Sequence, residues 1–308
     1  KYVAELEASG AGMGNIFGFE ALKAAFTPQG EEWLKKLMQH LDSNWELLSR
    51  GLAGFSKIKV RKPDATYLVW ADFRGTNLTD DQLNKLLVHE AGLGSGSRDV
   101  LLLQQPLAAA LGIELPISTP SGNMILCLGG GTSQAAVLAM HSIVTAETSR
   151  TGGLQLDEAI ISYVRKKFGI IIGQPTAEQL KIRIGSAIPQ DQVLSMEVQG
   201  QDQVSGLPRP VSLTTDDIVD ALQEPLNDIV HTTRRVLEKT PPELISDIID
   251  RGLALCGGGA LLRGIDKFLT KSLGIPAYLV DNPTTCVAEG AARAHSMRDV
   301  LRRSLFTG

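Results

Sequence analysis

The sequence predicts an α/β protein, and three observations support this fold class. Short apolar segments rich in β-branched residues alternate with segments whose apolar residues recur every three or four positions, as in strands and amphipathic helices. Two glycine triplets, at residues 129–131 and 257–259, each directly follow an apolar segment that predicts a strand. Glycine turns leave backbone N–H groups free to bind a phosphate. Two such turns in one chain predict a nucleotide held from two sides.

Composition and charge exclude several other classes. The chain has 308 residues, 43% hydrophobic and 21% charged, which is ordinary for a globular protein. The formal net charge of -4 gives no reason to expect a nucleic-acid partner. Three cysteines without a CxxC pair indicate a reducing compartment. The sequence shows no signal peptide and no apolar run of about 20 residues, so we expect a cytoplasmic protein.

The first 97 residues predict a small α/β lobe. An amphipathic helix is predicted over residues 31–50 and a strand over residues 66–73. Thr79 with Gln82 predicts a capping box for a helix running to about Glu90, which Gly92 would end. The Gly/Ser-rich stretch 92–97 predicts a flexible linker. We therefore expect two domains, 1–97 and 98–308.

The second segment predicts a longer series of elements. Three strands at 124–128, 135–140 and 142–148 form an antiparallel meander, followed by helices at 157–168 and 176–187. Strands near 193–198 and 209–213 predict a small sheet, within an insertion at about 190–240. Further predicted elements are a helix at 215–239 bent at Pro225, a strand at 251–256, a helix at 261–273, a strand at 277–280 and a helix at 284–303.

Strings at 14–21, 30–34 and 62–70 resemble one known family. This segment is similar to the small C-terminal domain of pyridoxal-phosphate (PLP) dependent carbon–sulfur lyases of the cystathionine β-lyase-like aminotransferase class. In that family the Schiff-base lysine lies in a preceding large domain, so PLP is not an expected cofactor here. A PLP-dependent lyase or aminotransferase fragment remains one alternative. A fusion of two fragments without a joint function is another.

Strings at 105–110, 128–132, 157–167, 176–187, 237–244 and 257–264 resemble a second family. From residue 98 to 308 the chain is similar to the MreB family of bacterial actin homologues. The resemblance implies a partial actin-like (RNase H-like) ATPase fold, mainly its domain II. It also implies ATP with Mg²⁺, a cytoskeletal role in cell-shape determination, and self-association into filaments. Expected partners are cell-wall elongation proteins at the cytoplasmic face of the membrane.

The same resemblance implies particular site residues. The phosphate-2 loop corresponds to Gly129, Gly130, Gly131 and Thr132. The helix beside the adenosine contributes Glu178, Gln179, Leu180 and Lys181, of which Glu178 and Lys181 contact the ribose and base. The adenosine loop corresponds to Gly257, Gly258, Gly259, Ala260 and Leu261. Gln105 occupies the place of the catalytic glutamate, and no metal ligand is assigned. Taken singly, each motif is more often a tight turn or a surface helix pair.

Two departures from the family pattern lower the expected activity. Cys127 replaces the acidic residue that holds the water shell of Mg²⁺, and a thiol is a poor partner for this hard cation. Gln105 can orient a water but is not a general base. The phosphate-1 loop of the fold would precede residue 98, where the lyase-like segment stands. We therefore expect a truncated nucleotide cleft, weak ATP binding and at most a weak ATPase.

Overall fold

The computed structural model describes residues 23, 25–63, 68–301, 304 and 305. The chain divides into two compact units, Lys1–Val88 and His89–Gly308. The lyase-like string at 14–21 and residues 66–67 of the predicted strand 66–73 lie outside the described residues. No helix of the described part is long and apolar enough to cross a bilayer.

The first unit contains one long helix and a two-stranded sheet. Helix α1 (Pro28–Leu52) confirms the predicted amphipathic segment, and the side chain of Thr27 caps it by accepting a hydrogen bond from Gly30 N. Strands β1 (Lys59–Arg61) and β2 (Trp70–Asp72) pair antiparallel. None of the residues of α1 is buried, so its apolar stripe stays largely open to solvent.

Helix α2 (Asp80–Gly94) begins in the first unit and ends in the second. The predicted capping box is confirmed, because Thr79 N donates to Gln82 Oε1 and Gln82 N donates to Thr79 Oγ1. The predicted helix end at Gly92 is wrong, since α2 continues to Gly94 and only residues 95–97 of the predicted linker lie outside the helix. A Cβ at Gly92 would lie 2.7 Å from Val100 Cγ2. This glycine therefore permits close packing rather than a chain break.

A five-stranded sheet forms the centre of the second unit. Its strands are β3 (Asn123–Leu128), β4 (Ser133–Ala139), β5 (Ser142–Ser149), β9 (Leu253–Cys256) and β10 (Ala277–Leu279), in the order β10-β9-β3-β4-β5. The predicted meander of β3, β4 and β5 is confirmed as two antiparallel pairings. Strands β9 and β10 extend it in parallel from β3.

Helices cover both faces of the central sheet, and for this reason all six residues of β3 are buried. On one face Ile125 packs with residues of α3 (Gln105–Gly112) and α9 (Cys286–Ser296). On the other face Leu126 packs with residues of α4 (Gly153–Phe168) and α6 (Thr215–Glu238).

The remaining elements surround the sheet. They are α5 (Gln174–Ile184), α7 (Pro242–Arg251), α8 (Ile265–Leu273) and a second antiparallel sheet of β6 (Ile170–Ile171), β7 (Ser195–Asp202) and β8 (Pro208–Thr214). Three predicted helices differ clearly from the structure. The last one, predicted at 284–303, ends at Ser296. Helix α4 begins at Gly153 instead of residue 157. The predicted helix 261–273 is divided, because Gly264 adopts a left-handed conformation with φ 69° between a 3-10 turn and α8.

Candidate functional site

Both glycine loops and helix α5 line a single cavity of about 420 Å³. The loop after β3 contributes Gly129 and Gly130, and α5 contributes Glu178 and Lys181. The second loop and the two residues that follow it contribute Gly258, Gly259, Leu261, Leu262 and Arg263. Three segments that are far apart in the sequence therefore meet at one place.

The two glycine loops lie together because β3 and β9 are parallel neighbours, so their carboxyl ends reach the same sheet edge. Gly257 has φ 87°, and a Cβ there would lie 2.3 Å from Leu128 O. A Cβ at Gly259 would lie 2.9 Å from Leu128 Cβ. Glycine at both positions lets the second loop pack directly on the end of β3.

The first loop is bound to the start of α4. Gly153 N donates to Gly129 O at 3.0 Å, and Leu154 N donates to Gly130 O at 2.8 Å. A Cβ on Gly152 would lie 2.7 Å from both loop carbonyl oxygens. This contribution was not predicted from the sequence, although the glycine pair 152–153 before an amphipathic run was a signal for it. The helix start thus fixes the shape of the loop.

Helix α5 brings a cation to the cavity. Lys181 Nζ lies 2.7 Å from Asp157 Oδ1 on α4 and donates a hydrogen bond to Gly153 O at 2.9 Å. Burial raises the pKa of Asp157 above its ordinary value, and the attraction of Lys181 offsets this only in part. Asp157 was not predicted as a site residue from the sequence, since its partner Lys181 lies on another helix.

Other residues of the predicted site do not line this cavity. Gly131 and Thr132 lie exposed on the first loop, and Gln179 lies exposed on α5. Leu180 and Ala260 are buried in the core below, and Gly257 forms the turn that precedes the second loop. Gln105 is the exposed first residue of α3 and is not brought to the cavity. Its catalytic role stays a prediction.

Cys127 does not face the cavity. Its side chain is buried on the α3 and α9 side of the sheet, and Cys256 Sγ lies 3.1 Å from its sulfur. All three cysteines are buried free thiols, and burial raises the pKa of Cys286 to about 11. Within the described ranges, no group of three or more His, Cys, Asp or Glu side chains is placed to hold a metal ion.

The cavity suits an anionic ligand with a flat apolar part. Neither Gly130 nor Gly131 would meet another atom within 4 Å if a Cβ were added, so a ligand can approach their backbone closely. Lys181 supplies a positive charge. Ile182 is 68% exposed and Leu261 is 56% exposed, and both line the cavity. Apolar side chains left open in this way offer a surface on which a base can stack.

Comparison with known proteins gives consistent results for most of the chain. The family model described as MreB/Mbl protein matches residues 76–303. The cell shape-determining protein MreB of Pasteurella multocida is 46% identical over 228 residues, which cover 73% of this chain and 65% of that relative. The crystal structure of MreB5 of Spiroplasma citri bound to ADP has a TM-score of 0.68 and 32% identity, over 74% of this chain and 68% of that one.

A filament structure shares the fold alone. The MamK double helical filament has a TM-score of 0.53 and 19% identity, over 63% of this chain and 58% of that one. The family match begins at residue 76, inside the segment predicted to be lyase-like. The family match does not include residues 1–75, and their resemblance to a PLP-dependent lyase stays a prediction.

Proposed function

The chain belongs to the MreB/Mbl family of actin-like proteins, and on that premise we propose that its cavity binds an adenine nucleotide. The observation that carries this proposal is the joining of both glycine loops and α5 around one cavity. The adenosine would lie between α5 and the second loop, against Ile182 and Leu261. The phosphates would extend toward the first loop.

Each part of the cavity has a definite task in this proposal. The open backbone at Gly130, which lines the cavity, donates its N–H group to the phosphates, as glycine loops do in other anion sites. Lys181 offsets part of the negative charge of the ligand. Mg²⁺ would accompany ATP in the same proposal, and within the described part of the chain no group of three or more His, Cys, Asp or Glu side chains is placed to hold it. Because Gln105 lies away from the cavity, we expect binding with at most slow hydrolysis.

The wider role follows from the relatives and remains a proposal. The chain covers 65% of the length of the Pasteurella multocida relative, which is described as a cell shape-determining protein. We propose that this chain has an actin-like cytoskeletal role in bacterial cell-shape determination. Self-association into filaments, work at the cytoplasmic face of the membrane and contact with cell-wall elongation proteins belong to the same proposal. No specific observation favours PLP chemistry or a fusion without joint function.

A binding titration tests the proposal. We expect saturable binding of ADP by isothermal titration calorimetry, and we expect Lys181→Met to weaken it at least about tenfold, or ~1.4 kcal/mol. Methionine keeps the length of the side chain and removes its charge. Lys166→Met, on an exposed part of α4, is the matched control and should bind like the wild type. Thermal unfolding verifies that the variants are folded. Absence of saturable binding, or equal affinity in Lys181→Met, would contradict the proposal.

A further inference from the structure

The carboxylate of Asp157 is buried next to the cavity. Its side chain is 3% exposed, and its Oδ1 lies 2.7 Å from Lys181 Nζ. Among the described residues, Lys181 is the ion-pair partner of this oxygen, and no group donates a hydrogen bond to it. Burying a charged carboxylate costs free energy unless a group of opposite charge compensates it. A buried aspartate beside the cavity therefore indicates a specific role for its pair with Lys181.

Lys181 reaches back to the start of α4 through two contacts. An ammonium group has three N–H donors. Gly153 O accepts a hydrogen bond from Nζ, and Asp157 Oδ1 lies 2.7 Å from Nζ as its ion-pair partner. Within the described part of the chain the structure gives Nζ no third partner. Lys181 also lines the cavity, so the remaining donor is available to a ligand there.

We propose that Asp157 is a positioning residue for the nucleotide, which holds Lys181 against the start of α4 so that one N–H serves the ligand. The inference rests on the proposed function, because it names what keeps the cation of that same cavity in place. Without Asp157, Lys181 has only the Gly153 carbonyl to fix a flexible four-carbon side chain. The ligand must then order that side chain itself, which lowers its affinity.

The surroundings of Asp157 decide how the effect depends on pH. Glu158 on its own helix and Glu178 on α5 disfavour its charge, whereas Lys181 favours it. Arg263 lines the same cavity. Farther along α4, Lys167 pairs with Asp217 of α6. Burial raises the pKa of Asp157, so its carboxylate is lost at a higher pH than that of an exposed aspartate, about 3.9. We expect nucleotide affinity to fall as the pH falls through the raised pKa of Asp157, at a higher pH than an exposed aspartate would give.

ADP titrations of Asp157→Ala and Asp157→Asn test the role. We expect the alanine variant to bind about tenfold more weakly, a loss of ~1.4 kcal/mol. Asparagine keeps an oxygen acceptor without the charge, so its affinity should fall between those of alanine and the wild type. Both variants should lose the acid-side decline in affinity that the wild type shows. Glu158→Gln, on the exposed neighbour, should keep the wild-type affinity at neutral pH and should still show the acid-side decline.

A ligand-free measurement separates this inference from the proposed function. Acetic anhydride acylates free amines, and mass spectrometry of peptides gives the rate at Lys181. We expect this rate to rise severalfold in Asp157→Asn and to stay unchanged in Glu158→Gln, with no nucleotide present. Unchanged labelling, or unchanged affinity and pH profile in both Asp157 variants, would overturn the inference. A wild type that binds no ADP would instead overturn the proposed function.

Discussion

At the scale of single residues, close approach of backbones determines the shape of the site. Gly152 has two loop carbonyl oxygens and the amide of Thr132 within 2.8 Å of where its Cβ would stand. These are backbone atoms, and they cannot move aside as a flexible side chain does. Gly131 lies on the loop between β3 and β4, and a Cβ added there would meet no atom within 4 Å. Close packing therefore requires a glycine at position 152 but not at position 131, although both residues belong to glycine-rich turns.

This difference predicts opposite outcomes for two alanine substitutions. Gly152→Ala should lower the free energy of unfolding by about 1–3 kcal/mol, because overpacking forces the loop away from α4. It should also weaken ADP binding. Gly131→Ala is the matched control and should change the free energy of unfolding by less than about 1 kcal/mol. Urea-induced unfolding measures both. Equal effects of the two substitutions would show that the close approach at Gly152 is unimportant.

Spacing along one helix face placed Glu178 and Lys181 side by side, and the family resemblance placed them and both glycine loops at the nucleotide site. The sequence did not predict Asp157 as the partner of Lys181. Their contact joins two helices, and no local pattern reports a distance between helices. Met140 and His141 show a related limit, because they take positive φ values of 51° and 57° in the β4–β5 turn without being glycines.

At the scale of elements, the start of α6 is held by a polar network. Thr214 N and Thr214 Oγ1 donate to Asp217 Oδ2, and Lys167 Nζ lies 2.7 Å from Asp217 Oδ1. Burial alone would raise the pKa of Asp217, but the hydrogen bonds from Lys167 and Thr214 outweigh it and lower the pKa below its ordinary value. The ionised carboxylate therefore favours the folded state.

A pH-dependent loss of stability follows from this network. Because the folded pKa of Asp217 is depressed, its contribution is present above the unfolded value of about 3.9 and is lost as the pH falls through the folded value. Asp217→Asn should lower the free energy of unfolding by about 1–3 kcal/mol at pH 7. The difference from the wild type should shrink in acid below about pH 4.

The neighbouring aspartate provides the control for this prediction. Asp216→Asn, on the exposed side of the same helix turn, removes only a favourable interaction with the helix dipole and should cost less than about 1 kcal/mol. Chemical denaturation between pH 3 and pH 8 gives both curves. A constant difference between Asp217→Asn and the wild type over this range would show that the carboxylate charge does not matter.

Local patterns predicted most elements but not their arrangement. The meander and α6 were predicted from alternation and helical periodicity within single segments. The order β10-β9-β3 was not predicted, because parallel pairing joins residues more than 100 positions apart, as Cys127 and Cys256 show. The start of α4 was placed too late because Gly152 and Gly153 offer no side-chain cap. The two-residue strand β6 is too short to show any alternation.

At the scale of the whole molecule, the two units differ in how their apolar residues are used. The His89–Gly308 unit has a continuous core on both faces of its sheet. Helix α1 in the other unit buries no residue, and Trp33 is 65% exposed. The amount of buried apolar surface in a segment determines the free energy of its local unfolding. The proposed nucleotide site belongs entirely to the better-packed unit.

Hydrogen exchange with and without ADP is the most direct measurement of the central claim that one cavity holds the nucleotide. We predict that ADP slows amide exchange together in residues 129–132, in α5 and in residues 257–261, while exchange in α1 stays unchanged. Protection confined to one of these segments, or protection elsewhere in the chain with none at these three, would contradict the claim.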